Sequence, residues 1–467
     1  MTVPTCRGGQ TGSLRRGITF DRLTVSVLFI ALFARACHSP AQNDTWWHLR
    51  AGEDIWHGWF PTSEQWSFTA HGRFWPDHAW LSEAIFYALH TVGGMAALTL
   101  YVAVVVVATY AVLWRLMRGS VRRRAVLLVA TLPASFILAA LRPQVISPLL
   151  LLVAMTLLTE RRFRLLPVLF FVWANLHGGF VLGGLVTAAA LVVALIWERG
   201  LVRPLGIAAA LSGLAALLTP LGPRVIGLVF GTTNELDIVE WRPAWDTMPA
   251  GAILGVVAIA LAVAWWARPP VEWEDRVLLA GALVVLPLAV RYSRVMPMFI
   301  VLALPVIARA WEARLPSAPR ADDVSVAHSG AVVVVALGAA FWIIGSWISS
   351  DTALAWDPLP PAAVQALRSC GQPEFNRYDD GGYIIWFAPD VPVFIDSRQE
   401  AGAPYPDRFL REQLSRDAAG DYKATFAEWH IGCALLPPKS ATAQHLQQDG
   451  WPVTYRDADW LVLQHPT

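Results

Sequence analysis

The sequence predicts a polytopic α-helical membrane protein, with about eleven transmembrane helices followed by a small soluble α/β domain, and three observations carry that expectation. Hydrophobic residues make up 55% of the 467-residue chain and charged ones only 15%, where soluble domains carry about 25%. Apolar runs long enough to cross the ~30 Å hydrocarbon core recur as far as Ser350. From Asp351 onward the composition turns polar, with 16 acidic against 9 basic residues and strand-like alternation. A net charge of +1 produces no field suited to nucleic acid, so membrane lipids rather than a polynucleotide are the expected surroundings.

Taken in order, residues 1–17 form a polar, basic tail. The run from Ile18 to about Cys37 reads as a retained first helix, because a cleaved signal peptide would be shorter and end at a small-residue site. Further helices are expected near 95–117, 123–140, 144–159, 164–177, 180–198, 203–220, 250–267, 276–291, 295–312 and 328–349, with a polar linker over 314–327. Arginines crowd alternate loops: Arg15, Arg16 and Arg22 before the first helix, Arg115 to Arg124, Glu160 to Arg164, and Trp197 to Arg203. The positive-inside rule makes those loops cytoplasmic. The 38–94 loop, the 221–249 loop and the 351–467 domain then fall on the non-cytoplasmic side of an inner (plasma) membrane. Asp77 to Val92 is expected to lie along the surface, burying Trp80, Ile85, Phe86 and Leu89, since a crossing there would invert every later loop.

Within the polar C-terminal region, Tyr383–Phe387, Val393–Asp396, Ala434–Leu436 and Trp460–Gln464 read as strands, and Pro406 to Trp429 has helical spacing. Cys370 and Cys433 share this region. They pair if it faces an oxidising compartment and otherwise remain buried thiols.

The 38–94 loop is the long polar interruption of the membrane part. Between His38 and Glu83 it gathers six carboxylates, five of the 11 histidines and seven of the 23 tryptophans. Asp44 opens a helix expected over 44–57, and the i, i+4 spacing puts Asp44 and His48 on one face. A partly desolvated carboxylate beside an imidazole suits a general base. It equally suits a helix cap, supplied by Asn43 or Asp44. Asp77 and His78 form a second polar pair, followed by Glu83. They are suited to capping the next helix, or to supplying a second carboxylate or binding a divalent cation together with Asp44.

These residues carry a resemblance. One membrane helix, then NDTWWHLRAGEDIWHGWFPTSEQWSFTAHGRFWPDHAWLSE, then many helices with NLHGGF and TPLGPR at outer helix ends, resembles bacterial membrane proteins related to the GT-C glycosyltransferases, which include the protein O-mannosyltransferases and aminoarabinose transferases. The resemblance implies a GT-C-like transmembrane domain over 18–350 and transfer of a sugar from a polyprenyl-phosphate carrier to an envelope acceptor. It also implies that Asp44 matches the catalytic carboxylate of the first outer loop, although the family's acidic doublet is Asn43-Asp44 here.

Such a reaction needs cations for the carrier phosphate. Arg142, Arg224, Arg242, Arg291 and Arg294 all fall at expected outer helix ends and suit bidentate phosphate contact. Singly, each equally suits snorkelling at the interface. His177, in the Asn175-Leu176-His177-Gly178-Gly179 turn, is placed to bond a sugar or the phosphate. NRYDDGGYIIW and VFIDSRQE contribute a turn at Asp379 and Asp380 and a surface ion pair between Asp396 and Arg398, or else strand-end carboxylates suited to carbohydrate. Two other classes fit the composition: a transporter or lipid-handling protein with a periplasmic binding domain, and an inactive structural relative. Uncharged membrane interiors with polar groups crowded on one face favour interfacial chemistry over translocation.

Overall fold

A computed structural model describes residues 19–60, 62–135, 140–230, 241–246, 250–267, 271–315, 326–349, 354–398 and 404–466. The 1–17 tail, most of the 314–327 linker, and residues 231–240 and 247–249 of the 221–249 loop lie outside them.

The membrane part is helical wherever the sequence is continuously apolar, because hydrogen bonding within the segment is the only way to satisfy a backbone in hydrocarbon. Helix α1 (Phe20–Ala36) is capped by Thr19, whose hydroxyl accepts from the Arg22 N–H at 3.2 Å. The amphipathic α2 (Asn43–Trp56) follows, then α3 (Trp80–Leu116), α4 (Val121–Ser135), α5 (Ser147–Thr159), α6 (Leu166–Leu176), α7 (Phe180–Trp197), α8 (Val202–Ala216), α9 (Arg224–Phe230), α10 (Ala250–Ala267), α11 (Trp273–Arg291), α12 (Met296–Arg314) and α13 (Val326–Ile348). Four stretches are long and apolar enough to cross a membrane among the described residues: Trp80–Leu116, Phe180–Trp197, Ser293–Arg314 and Gly330–Ile348. Apolar but shorter are Pro143–Thr159, Phe163–Leu176 and Gly251–Trp266.

Two glycine sites shape the contact between α2 and α3. Helix α3 breaks at Gly93 and Gly94, the second at φ +59° and ψ −153°, a conformation that favours glycine. The break separates a leading segment, which packs on α2 and buries Phe86, from the long apolar helix behind it. In α2, a Cβ at Gly52 would stand 2.2 Å from the Glu83 carbonyl oxygen, so glycine is what lets the two helices touch. The cap of α2 differs from the expectation of Asn43 or Asp44. Gln42 holds the N-cap position, with its backbone N–H donating to Thr45 Oγ1 at 3.0 Å, which leaves both Asn43 and Asp44 inside the first turn.

The C-terminal part comprises α14 (Pro361–Cys370), β1 (Glu374–Asn376), α15 (Gly381–Phe387), α16 (Asp407–Ala419), α17 (Lys423–Trp429), β2 (Cys433–Leu436), α18 (Ala441–Gln448), β3 (Val453–Arg456) and β4 (Leu461–Gln464). The sheet order is β1-β2-β4-β3, with β1 parallel to β2 and the other pairs antiparallel. A Cys370–Cys433 disulfide, its Cα atoms 6.2 Å apart, ties α14 to β2.

Two expected strands are corrected. Tyr383–Phe387 is helix α15, because a short run apolar at every position has no period to distinguish the two states and packing decides. Phe387 packs 4.7 Å from Trp46 with the rings tilted, Tyr383 lies 5.7 Å from Trp460, and Ile384 and Ile385 are buried. Gly381 and Gly382 permit the approach, since Cβ atoms there would meet the Ile395 carbonyl at 2.2 Å and Asn43 Oδ1 at 2.1 Å. Val393–Asp396 is extended but outside the sheet. Its backbone is bonded by the outer loop (Val393 N–H to the Trp66 carbonyl, 2.9 Å) and by the Asn376 amide (to the Ile395 carbonyl, 2.6 Å). The C-terminal core accordingly takes in Trp47, Ala51, Trp66, Phe68, Ala70 and Trp75 of the outer loop.

Candidate active site

A single turn, Leu141 to Ser147, organises the site. Arg142 precedes Pro143, which disfavours helix for the residue before it and locks φ for a short 3₁₀ turn, Pro143–Ile146, ahead of α5. Several polar contacts radiate from this turn. Thr45 Oγ1 donates to the Leu141 carbonyl at 2.9 Å. The Arg142 guanidinium pairs with Asp44 Oδ2 at 3.0 Å. Gln144 Oε1 accepts from Arg294. Ser147 Oγ bonds His177 Nδ1 at 2.7 Å.

Asp44 is the convergence point. Trp47 Nε1 donates to Oδ1 at 3.2 Å and Ser397 Oγ donates to the same oxygen, while Arg142 holds Oδ2. Asp44 and Arg142 keep 17% and 19% of their side-chain surface accessible. Ser397 Oγ in turn accepts from Asn43 Nδ2 at 2.7 Å, and the Tyr378 hydroxyl donates to the Ser397 carbonyl at 3.2 Å. Burial pushes the Tyr378 phenol well above its usual range, with the nearby Asp44, Asp396 and Asp379 charges adding to the rise, so it stays a donor.

The expected pairing of Asp44 with His48 is corrected. His48 Nδ1 bonds Glu83 Oε1 at 2.6 Å in a buried pair, because α2 turns His48 toward α3 while Asp44 faces the 141–147 turn. The expected capping of the next helix by Asp77 is corrected: Ala79 is the N-cap of α3 and has no side-chain cap bond, and Asp77 Oδ1 accepts from the Ala79 N–H at 2.9 Å in the turn ahead of the helix. With Trp47, His48, Trp75 and Glu83, Asp77 and His78 line one small crevice. His78 stands 6.2 Å from His177, ring to ring. His177 Nδ1 also accepts from the Gly179 N–H at 3.0 Å. An N–H can only donate, so Nδ1 carries no proton, the ring proton sits on Nε2, and the Ser147 hydroxyl donates to Nδ1. Among the described residues no group of three His, Cys, Asp or Glu side chains is arranged to hold a metal ion.

Of the five arginines, Arg294 reaches the turn that carries Arg142, donating to Gln144 two residues further on. Arg294 also lies 5.4 Å over Trp241, and Trp241 packs 5.6 Å from Tyr292. Arg242 enters this group by its backbone, its carbonyl accepting from the Ser293 N–H at 2.9 Å, and Arg291 lies 4.9 Å over Tyr292. Arg224 stands elsewhere, 5.6 Å over Phe74 of the outer loop.

The expected surface ion pair of Asp396 and Arg398 is buried. Arg398, 1% exposed, makes two bonds to Asp396 (2.8 and 2.6 Å), pairs with Glu64, and is sandwiched between Trp66 (4.3 Å) and Trp75 (4.6 Å). Burial alone would lower its pKa, but Asp396 and Glu64 outweigh it and hold the value well above the usual one. Tyr405 donates to Asp396 Oδ2 at 2.8 Å. Sequence reasoning missed Ser397 and the role of the 141–147 turn. The only signals were the LRPQ turn and the SR dipeptide after Asp396.

No family model and no curated protein matches the sequence. Solved structures do. The Archaeoglobus fulgidus oligosaccharyltransferase, tethered with an acceptor peptide, is 14% identical over 89% of this chain and 69% of its own, with a TM-score of 0.50. ArnT from Cupriavidus metallidurans, bound to undecaprenyl phosphate, is 14% identical over 94% of this chain and 97% of its own, with a TM-score of 0.51. Both are GT-C glycosyltransferases, and the likeness establishes that this chain has the GT-C fold.

Proposed function

We propose that the protein is a membrane glycosyltransferase that moves a sugar from a polyprenyl-phosphate carrier to an acceptor on the non-cytoplasmic face. The observation that carries this reading is the accessible Asp44–Arg142 pair, with Arg294 bonded to Gln144 of the same turn. Asp44 takes the proton of the acceptor hydroxyl, the acceptor oxygen attacks the anomeric carbon, and the bond from that carbon to the phosphate oxygen breaks. The leaving polyprenyl phosphate keeps the electron pair, and the guanidinium groups of Arg142 and Arg294 offset its charge. The undecaprenyl phosphate held by the Cupriavidus ArnT supports a carrier of that chemical class.

In this reading residues 18–350 form the membrane domain, crossing about eleven times, and 351–467 form an extracytoplasmic domain over the 38–94 loop. The Cys370–Cys433 disulfide supports that side, since such bonds persist in oxidising compartments. A reporter active only in the cytoplasm, fused after Thr467, is expected to stay silent; activity would put the C-terminal region on the inside. Asp44→Asn is expected to abolish transfer from an undecaprenyl-phosphate-linked sugar while the protein remains folded in membranes, and undiminished transfer by that variant would overturn the assignment.

A further inference from the structure

We propose that Ser397, presented by a C-terminal segment that the buried Arg398 locks onto the outer loop, is a positioning residue that orients the Asp44 carboxylate. The inference rests on the reading of Asp44 as the reacting group. It adds that the membrane part alone makes an incomplete site.

Three observations converge. First, the hydroxyl has its directions set. Asn43 Nδ2 donates to Ser397 Oγ at 2.7 Å, and Ser397 has one proton, which it gives to Asp44 Oδ1. The chain of donors runs Asn43 to Ser397 to Asp44, so the carboxylate plane is set by Ser397 and Trp47 on Oδ1 and by Arg142 on Oδ2. Second, the segment carrying Ser397 is held on both sides. Asp396 and Arg398 are buried neighbours in one desolvated cluster with Glu64 and Tyr405, and the Ile395 carbonyl is bonded by Asn376. Removing one partner of such a buried set is strongly destabilising, because it leaves an uncompensated buried charge. The clamp therefore fixes Ser397 rather than letting it swing aside with each turnover. Third, the clamp's anchor belongs to the same outer loop as Asp44. Glu64 Oε1 accepts from the Trp66 and Ser67 N–H groups at 2.6 and 2.5 Å, and its other oxygen meets Arg398. Loop and C-terminal segment are thereby registered to one another within a residue of the contact.

The test uses the full-length protein in detergent or nanodiscs, with Ser397→Ala and Ser397→Thr. Two readouts are taken: kcat and KM for an undecaprenyl-phosphate-linked sugar, and the rate at which a carbodiimide labels Asp44, mapped by mass spectrometry. Ser397→Ala is expected to lower kcat about tenfold or more with KM nearly unchanged, as loss of orientation does, and to speed labelling of Asp44 several-fold. Ser397→Thr, which keeps the hydroxyl, is expected to restore both. Labelling of Ser397→Ala at the wild-type rate overturns the contact, and wild-type kcat in that variant overturns the role. A threonine variant as impaired as the alanine variant also overturns it. If the wild type itself transfers nothing, the glycosyltransferase reading falls, while the labelling still decides whether Ser397 holds Asp44.

Discussion

Arg309 and Arg142 both meet carboxylates in the helical part, and they do opposite things. Arg309 is 4% exposed; it pairs with Glu274 and, at 2.9 Å, with Asp275, and it bonds the Leu116 carbonyl twice, at 3.1 and 3.2 Å. It thereby neutralises the C-terminal end of α3 and joins it to the start of α11 and to α12. Arg142 meets Asp44 where both keep about a fifth of their side-chain surface, in a turn that also gathers Arg294 and His177. A buried arginine bonded to two carboxylates and a helix-end carbonyl serves stability, whereas one left partly accessible beside a carboxylate retains capacity for a substrate.

Arg309→Met sets the largest expected effect, because it removes the buried cation that Glu274 and Asp275 share and leaves Glu274 with the exposed Arg118. A loss of about 3–5 kcal/mol, seen as a lowered midpoint of thermal unfolding or absence from the membrane fraction, is expected; a variant as stable as wild type would remove the distinction. Arg142→Gln is expected to keep the wild-type midpoint and lower transfer about 10²-fold, the cost of removing one donor from a charge-stabilising site. An equal fall in stability would class it with Arg309.

The C-terminal part also carries a pH signature. Burial raises the Asp380 carboxyl to about 6, against the opposing pull of Arg377. Since the folded chain then holds this proton more tightly than the unfolded chain, stability is greatest below about pH 4 and falls as pH rises to about 6. The expected change is of order 2 kcal/mol, and Asp380→Asn is expected to flatten the thermal-unfolding midpoint against pH over that window. An unchanged slope would sink this account. Smallest of all is Arg224→Gln. An exposed cation over an aromatic ring contributes only about 0.5–1 kcal/mol, so transfer is expected to change less than about threefold. A loss matching that of Arg142→Gln would move the phosphate subsite toward Phe74.

The chain by itself determined the helical frame. Long apolar runs broken by Arg, Gly and Pro leave one solution in hydrocarbon, and even the break at Gly93-Gly94 was legible, because glycine there is a local backbone property. Asp44 was legible as a candidate for a similar reason: an acidic residue at the edge of an apolar chain stands out in composition alone. Tertiary structure decided everything that depends on which surfaces meet. Whether Tyr383–Phe387 is strand or helix was set by Trp46 and Trp460 packing against it. His48 went to Glu83, 35 residues away, and Asp44 to Arg142 and to Ser397, the last 353 residues distant. A serine after an aspartate carries no mark in sequence, since its hydroxyl acquires a role only when the desolvated pairing of Arg398 with Glu64 and Asp396 brings two remote segments together.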